Sequence, residues 1–267
     1  MEKENTSGFF ILLNEFNSFD IKNAVNYEIM NEILISHHST AIEGSSLTEQ
    51  ETRLLLTDGI TAKGKPLEDH NMVTDHHKAL LDVVRMAKEK IQITPQFIQN
   101  ISALVMSSTG GVVNTMAGSY DSSKGEFRKG AVHVGDRYFT NYLKVPREVQ
   151  TLCDDINAQI DKVKTPEEIY NLAFDAHFGL VSIHPFADGN GRTSRLLMNY
   201  ILEYHGQPMA LIFKEDKLDY FKALEQSREQ ESYTPFRNFM YAQQAKHLST
   251  EISKIQQDTC WKFENKL

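Results

Sequence analysis

Helix-start signals recur along this sequence, and they limit its fold more than any other feature. Thr48 and Glu51 have the spacing of a capping box, and Thr94-Pro95 has the pattern of an N-cap followed by proline at the first helical position. Thr165-Pro166-Glu167-Glu168 combines both signals. Apolar residues at helical spacing follow each of them. The chain of 267 residues is therefore predicted to adopt an all-α fold.

Two segments interrupt the helical pattern. The Gly- and Ser-rich residues 107–125 predict a long surface loop. Residues 131–142 alternate in polarity around Gly135-Asp136, which predicts a short β-hairpin and the only sheet of the fold. Predicted helices cover about 22–35, 48–56, 67–88, 145–160, 165–184 and 190–206, and others begin near 95, 216 and 234.

Composition narrows the class of protein. The chain carries 28 Lys and Arg against 36 Asp and Glu, a formal charge of -8, which argues against a general nucleic-acid partner. No apolar stretch reaches the roughly 18 residues of a membrane span, and the first residues lack the pattern of a signal peptide. Cys153 and Cys260 are distant in sequence and are expected to be free thiols. We therefore expect a cytoplasmic protein with no membrane partner.

The segment His184–Arg195, HPFADGNGRTSR, carries the densest chemistry in the chain. Gly189 and Gly191 allow a ligand to approach the backbone closely, and the helix that follows turns its free N–H groups toward the loop. Arg192 and Arg195 share one face of that helix because they are three residues apart. Two guanidinium groups at a helix N-terminus favour a polyphosphate ligand.

Two further residues of this segment extend the prediction to catalysis. Asp188 would be repelled by bare phosphate, but Mg²⁺ held between the carboxylate and phosphate oxygens reverses the interaction. His184, at the end of the preceding helix, has an imidazole suited to accept a proton from an incoming hydroxyl. Taken one at a time, these residues are more often structural than catalytic. Together they predict group transfer from a magnesium-bound nucleotide.

The pattern H-P-F-x-D-G-N-G-R-x-x-R, complete over His184–Arg195, resembles the signature of the Fic family. The resemblance implies a mostly helical fold with a β-hairpin flap, and transfer of AMP from ATP to a Ser, Thr or Tyr hydroxyl of a protein. It implies that His184 is the catalytic base and that Asp188 binds Mg²⁺, with Mn²⁺ as an alternative. The implied nucleotide-binding set is Asp188, Gly189, Asn190, Gly191, Arg192, Thr193, Ser194 and Arg195, with Arg195 at the γ-phosphate.

Two other stretches carry parts of the same resemblance. The predicted hairpin resembles the flap, and its strand could pair with an extended target segment; its tip is Val134, Gly135, Asp136 and Arg137. LDYFKALEQSRE resembles the adenine-contacting region, and Tyr220 and Phe221 match its paired aromatics, although Arg228 stands where the family often has asparagine. The implied organisation is an N-terminal helical region over 1–110, a Fic core over 111–245 and a C-terminal helical tail over 246–267.

The upstream stretch STAIEG, residues 39–44, resembles the inhibitory motif of self-restrained Fic proteins. In a helix, Ser39 and Glu43 are four residues apart and share a face. The resemblance implies that Glu43 occupies the guanidinium of Arg195 and leaves the α-phosphate of ATP badly placed for in-line attack. A displacement of about 1 Å can cost roughly 10²-fold in rate. The first functional hypothesis is therefore an autoinhibited protein adenylyltransferase that also modifies itself.

Several alternatives stay open at this point. Glu43 could instead position a water that removes AMP from a modified protein, and the sequence does not separate removal from transfer. A non-enzymatic nucleotide-sensing module is disfavoured by the intact His184 and Asp188. Transfer of UMP is a further alternative, and phosphoryl transfer by a Doc-like kinase is disfavoured by GNGR at 189–192. The target protein cannot be identified from the sequence, and a homodimer is left open.

Overall fold

The computed structural model describes residues 2–19, 27–134 and 137–264, and within these ranges the side chains of all residues except 2–5, 134 and 258–264. Contacts divide the chain into two compact units, residues 1–31 with 211–267 and residues 32–210. The described residues form ten helices and two short hairpins. The all-α class with a small hairpin is thus confirmed. The expected boundaries after residues 110 and 245 stay predictions.

The smaller unit is built from long helices that meet along apolar faces. Its helices are α1 (Glu2–Ser18), α9 (Lys217–Glu229) and α10 (Thr234–Glu264), and α10 packs against both of the others. Phe9 of α1 lies 5.4 Å from the ring of Tyr241 on α10. Tyr220 and Phe236, on α9 and α10, are also buried in this core. Aromatic side chains therefore supply much of the buried area that holds this unit together.

The larger unit surrounds one central helix. Its helices are α2 (Tyr27–Glu43, in this unit from Glu32), α3 (Glu49–Asp58), α4 (Leu67–Lys88), α5 (Pro95–Val105), α6 (Val145–Ile160), α7 (Pro166–Ile183) and α8 (Asn190–Tyr204). α8 packs against α4, α5 and α7, and residues 196–202 are all buried. A helix surrounded on every side is held rigidly, so its N-terminus can serve as a fixed platform for a ligand.

The predicted helix starts are confirmed by their hydrogen bonds. Thr48 and Thr165 both form complete capping boxes, in which the threonine hydroxyl accepts from the third helical N–H and the glutamate there returns a bond to the cap. Thr94 accepts from the N–H of Phe97 and is followed by proline, as expected. The helices predicted over 67–88 and 145–160 have those bounds. The helix predicted over 22–35 instead continues to Glu43, so the bounds given to it were wrong.

Two hairpins lie between α5 and α6. Strand β1 (Val112–Thr115) pairs antiparallel with β2 (Gly118–Asp121), and β3 (His133–Val134) pairs with β4 (Arg137–Tyr138). The prediction of a long loop over 107–125 and of a single sheet was therefore wrong. The β-branched residues of β1 favour extended backbone, and the Thr115 hydroxyl closes the turn by donating to the carbonyl of Gly118.

The predictions made for the flap and for the two cysteines can also be compared with the structure. The second hairpin lies where the flap was predicted, with Val134 ending β3 and Arg137 beginning β4, and the other two residues of the predicted tip, Gly135 and Asp136, fall outside the described residues. The thiol of Cys153 is free and buried, as predicted, whereas the side chain of Cys260 falls outside the described ones. No helix in the described part of the chain combines the length and hydropathy of a membrane span.

Candidate active site

The signature segment forms a tight connection between α7 and α8. His184 caps the C-terminus of α7 in the left-handed region, at φ 53° and ψ 61°, a conformation that costs a non-glycine residue roughly 1–2 kcal/mol. Gly189 is the N-cap of α8 at φ 76°, and no side chain caps that helix. The first N–H groups of α8 are therefore available to an anion, as the glycine pattern predicted.

The polar side chains around Gly189 hold the loop in shape. The Asn190 amide donates to the Phe186 carbonyl at 3.0 Å, and its oxygen accepts from the Phe186 N–H at 3.0 Å. Ser194 is fully buried and its hydroxyl donates to the Asn190 carbonyl at 2.8 Å. Thr193 is fully buried as well. These three side chains face the protein rather than a ligand, so nucleotide contacts by them stay predictions, and any such contact by Asn190 would come from its backbone.

Arg192 lies beneath the loop against the end of α5. Its side chain is 1% exposed, and Nη2 lies 3.3 Å from Asp188 Oδ2 and 3.2 Å from Met106 Sδ. Nη1 donates to the Val105 carbonyl at 3.4 Å. A Cβ added to Gly189 would lie 2.9 Å from the same sulfur. The Met106 thioether therefore leaves no room for a side chain at residue 189 and also contacts the Arg192 guanidinium. Burial lowers the pKa of Arg192, with the Asp188 carboxylate acting in the opposite direction.

Arg195 is joined to the end of α2, as the inhibitory motif predicted. Its Nε donates to the Ser39 hydroxyl at 2.8 Å, and Nη2 donates to the Ser39 carbonyl at 2.8 Å. Nη2 also lies 2.6 Å from Glu43 Oε1. The side chain of Arg195 is 4% exposed and that of Glu43 is 27% exposed. A charge-assisted contact of this length, with one partner buried, is a strong tether between α2 and α8.

Glu43 lies directly above the glycine cradle. A Cβ built on Gly191 would collide with Glu43 Oε1 and would lie 3.0 Å from Arg195 Nη1. Among the described residues, that Nη1 is buried and has no hydrogen-bond partner. The glutamate oxygen therefore lies where the α8 N-terminus and Arg195 converge, and a bound phosphate would compete with it for this place.

His184 is held by aromatic packing as well as by its backbone. Its ring stacks on Phe139 with the centroids 4.0 Å apart and the planes 20° from parallel. The Arg137 guanidinium lies 4.6 Å from the Phe139 centroid. Burial, and next the charge of Arg128, lower the pKa of His184 to about 4, while the Val181 carbonyl and Asp188 act in the opposite direction. The imidazole is therefore neutral at neutral pH and can accept a proton.

The carboxylate of Asp188 could hold a hard divalent cation only together with oxygen atoms from a bound phosphate. Asp188 is 67% exposed, and its Oδ1 accepts from the Gly189 N–H at 2.6 Å. No group of three or more His, Cys, Asp or Glu side chains is arranged to bind a metal within the described ranges. Mg²⁺ is commonly held by one or two carboxylates with phosphate oxygens and water, so a single exposed aspartate beside an anion cradle fits it.

The aromatic pair predicted to contact adenine lies on α9 of the other unit. Tyr220 is 1% exposed, and its ring centroid lies 5.2 Å from that of Phe221, which is 45% exposed. Tyr220 also packs against Phe236 and Phe239. The contact of this pair with a nucleotide stays a prediction.

Three residues around the signature were not identified from the sequence. Arg128 is 1% exposed and donates from its guanidinium to the carbonyl of His184 at 2.8 Å. Phe139 stacks on the same histidine, and Met106 contacts both Gly189 and Arg192. The stretch assigned to the flap, GEFRKGAVHVGDRYFTNY, contains both Arg128 and Phe139 and was the available signal for them. Met106 carries no local signal, because its partners are distant in sequence.

Comparisons with known proteins agree with this geometry. A model of the Fic/DOC family matches residues 92–202. Protein adenylyltransferase Fic of Drosophila willistoni is 33% identical over 193 residues, which cover 72% of this chain and 36% of the relative. The same protein of Drosophila melanogaster is also 33% identical, with 37% of it covered. This chain thus spans about a third of the length of these relatives.

Solved structures share the fold. A Fic domain containing signaling protein from Bacteroides thetaiotaomicron superposes with a TM-score of 0.77 at 24% identity, covering 93% of this chain and 96% of that one. Fic-1 from C. elegans gives a TM-score of 0.77 at 22% identity, covering 96% of this chain and 73% of that one. The segment that the family model matches includes the whole signature loop, α7 and α8 as far as residue 202. Residues 92–202 therefore form a domain of the Fic/DOC family.

Proposed function

We propose that this chain is a magnesium-dependent protein adenylyltransferase that is restrained by its own Glu43. The observation that carries the proposal is the 2.6 Å contact between Glu43 Oε1 and Arg195 Nη2, directly above the Gly191 backbone. Adenylyltransferase is also the activity named for the Drosophila relatives. Transfer of AMP, rather than of another group, rests on that family relationship.

The chemistry assigned to the loop is in-line transfer at the α-phosphorus of ATP. The target hydroxyl oxygen forms a bond to this phosphorus, the bond to pyrophosphate breaks, and the hydroxyl proton passes to His184. Nδ1 of His184 is buried, so Nε2 is the nitrogen that takes the proton. The lowered pKa of about 4 keeps the imidazole neutral and ready to accept it at neutral pH.

The phosphates would be held by groups that the fold already fixes. The uncapped N-terminus of α8 faces the loop, and Arg195 adds a positive charge at its side. Asp188 would hold Mg²⁺, which supplies charge neutralisation to the phosphate oxygens when bound. The left-handed backbone of His184 and the buried loop fix the relative positions of base and cradle, which favours a near-attack geometry.

Restraint follows from competition for one guanidinium. While Glu43 is paired with Arg195, a γ-phosphate cannot take that place, and the nucleotide is displaced from the geometry needed at the α-phosphorus. Removing the Glu43 carboxylate should release Arg195 without touching the cradle. Glu43 is the last residue of α2, so glycine there causes less loss of helix than at an interior position.

The experiment is self-modification of the Glu43→Gly variant with ATP labelled at either the α- or the γ-phosphate. We expect label from the α-position to stay on the protein and label from the γ-position to be released. Wild type should be labelled weakly, and Glu43→Gly with His184→Ala should not be labelled. Glu49→Gly, which removes an exposed carboxylate from the start of α3, is the matched control and should behave as wild type.

Two results would contradict the proposal. Retention of the γ-label would identify phosphoryl transfer and remove adenylylation from consideration. Equal labelling of wild type and Glu43→Gly would leave transfer possible but would reject the restraint by Glu43.

A further inference from the structure

Arg128 makes an unusual set of contacts for a buried cation. Its guanidinium donates to three backbone carbonyls, those of His184 at 2.8 Å, Gly130 at 2.6 Å and Thr140 at 2.6 Å. Its own N–H donates to the carbonyl of Pro185 at 3.0 Å. Burial lowers the pKa of Arg128. A buried charge whose direct acceptors are neutral carbonyls is costly to hold, so this arrangement calls for a role.

The three carbonyls belong to two separate parts of the site. Gly130 precedes β3 and Thr140 follows β4, so Arg128 binds both legs of the flap hairpin. The legs are joined again where the N–H of Phe139 donates to the carbonyl of Val132 at 3.2 Å. The third acceptor is the carbonyl of the catalytic histidine itself. One guanidinium thus connects the whole base of the flap to the residue that must receive the proton.

The contact with His184 also meets a local need of the backbone. His184 ends α7, where carbonyl groups lack helical partners and a cation is favoured by the helix dipole. Its left-handed backbone is strained and persists only where neighbouring groups fix it. Arg128 on the carbonyl and Phe139 on the ring fix it from two directions.

We propose that Arg128 is a positioning residue that joins the flap to the backbone of His184, so that a target segment lying on the flap is presented in register with the imidazole. This inference rests on the proposed function, because it assigns the flap to target binding. The guanidinium fork holds three fixed carbonyls at once. A lysine in its place would keep the charge but lose the planar arrangement of donors.

The first test needs no activity. The protonation midpoint of His184 is measured by NMR in histidine-labelled protein without ATP, with its signal identified by loss in His184→Ala. Burial lowers the pKa of His184 most, the charges of Arg128 and Arg137 lower it further, and the Val181 carbonyl and Asp188 raise it. Arg128→Met should therefore move the midpoint up from about 4 toward the ordinary value, Arg128→Lys should keep it low, and the exposed Arg53→Met should leave it unchanged.

The second test separates position from charge. In the Glu43→Gly background, both Arg128→Met and Arg128→Lys should lower kcat for self-adenylylation, measured at saturating ATP, by roughly 10-fold to 10²-fold, as expected for a displaced reacting group. The KM for ATP should stay the same, because neither change touches the α8 N-terminus or Arg195. If Arg128→Met fails to fold, Arg128→Gln, which also removes the charge, replaces it in the first test, and Arg128→Lys carries the second.

The outcomes separate this inference from the proposed function. If Glu43→Gly transfers no AMP, the proposed function fails, and the midpoint of His184 still decides whether Arg128 acts on this residue. An unchanged midpoint in Arg128→Met would overturn the link to His184. A folded Arg128→Lys variant with the kcat of its parent would overturn the positioning role.

Discussion

The pairing of Glu43 with Arg195 predicts that stability and ATP affinity change together. In the structure, the Glu43 carboxylate is paired with the Arg195 guanidinium, to which a γ-phosphate would have to bind. Under the proposed function, ATP has to break this pair before it can bind in a reactive position. The free energy by which the Glu43–Arg195 pair stabilises the ligand-free protein therefore weakens ATP binding by the same amount. Replacing Glu43 by glycine should strengthen ATP binding by that amount.

The geometry sets the size of this quantity. Hydrogen bonds to charged groups contribute about 1.5–3 kcal/mol where both groups are desolvated. The Glu43 side chain is 27% exposed, and an acid at a helix C-terminus is unfavourable, so both features reduce the contribution. We expect about 1–2 kcal/mol, which corresponds to roughly 5-fold to 30-fold tighter ATP binding in Glu43→Gly.

The assay compares two nucleotides in the His184→Ala background, where no transfer occurs. Calorimetry should show the gain for ATP, whereas AMP, which has no γ-phosphate to place at Arg195, should bind the parent and Glu43→Gly equally. Urea unfolding without nucleotide should show Glu43→Gly less stable than the Glu49→Gly control by the same free energy. An equal gain for AMP, or a stability loss with no gain for ATP, would refute the reasoning.

Three further predictions concern the stability of the folded protein. Asp75 is 2% exposed and accepts from the N–H and hydroxyl of Ser108 at 2.6 and 3.0 Å, so Asp75→Asn should lower the free energy of unfolding by about 1–3 kcal/mol in urea titrations. Thr165→Ala removes the capping box of α7 and should cost about 1 kcal/mol in the same assay. Burial lowers the pKa of His247 to about 4 in the folded protein, so its unfolded form binds the proton first as pH falls. Stability should be full above about pH 6.5 and fall toward pH 4, and His247→Leu should reduce this slope; a wild-type slope would contradict it.

Much of the fold could be predicted because capping residues next to one another in sequence mark the starts of its helices. Thr48, Thr94 and Thr165 carry cap and proline signals that act within four residues, and the structure has helices starting at each. The helix α1 was not predicted, since its first residues offer no such signal. The β1–β2 hairpin was missed because glycine and serine around it suggested a loop, while the pairing of Val113 with Tyr120 depends on both strands.

The residues of the candidate site likewise fall into those that the sequence identified and those that it did not. The contact of Glu43 with Arg195 was predicted because a short motif and a continuous signature identify the two residues, whereas the roles of His184 as base and of residues 189–191 as phosphate cradle stay predictions. Arg128, Phe139 and Met106 were missed because each acts on residues far along the chain, and no spacing rule connects Arg128 with His184. Asn190 was assigned to phosphate binding, yet its side chain is fully engaged with Phe186. Local motifs thus locate the chemistry, and the tertiary fold decides which atoms remain available for it.

Intact-mass measurement after incubation with Mg-ATP tests the central claim most directly. We expect that Glu43→Gly gains the mass of one or more AMP groups, that wild type gains little, and that adding His184→Ala abolishes the gain. A gain of phosphate mass, or of AMP mass that persists without His184, would contradict it.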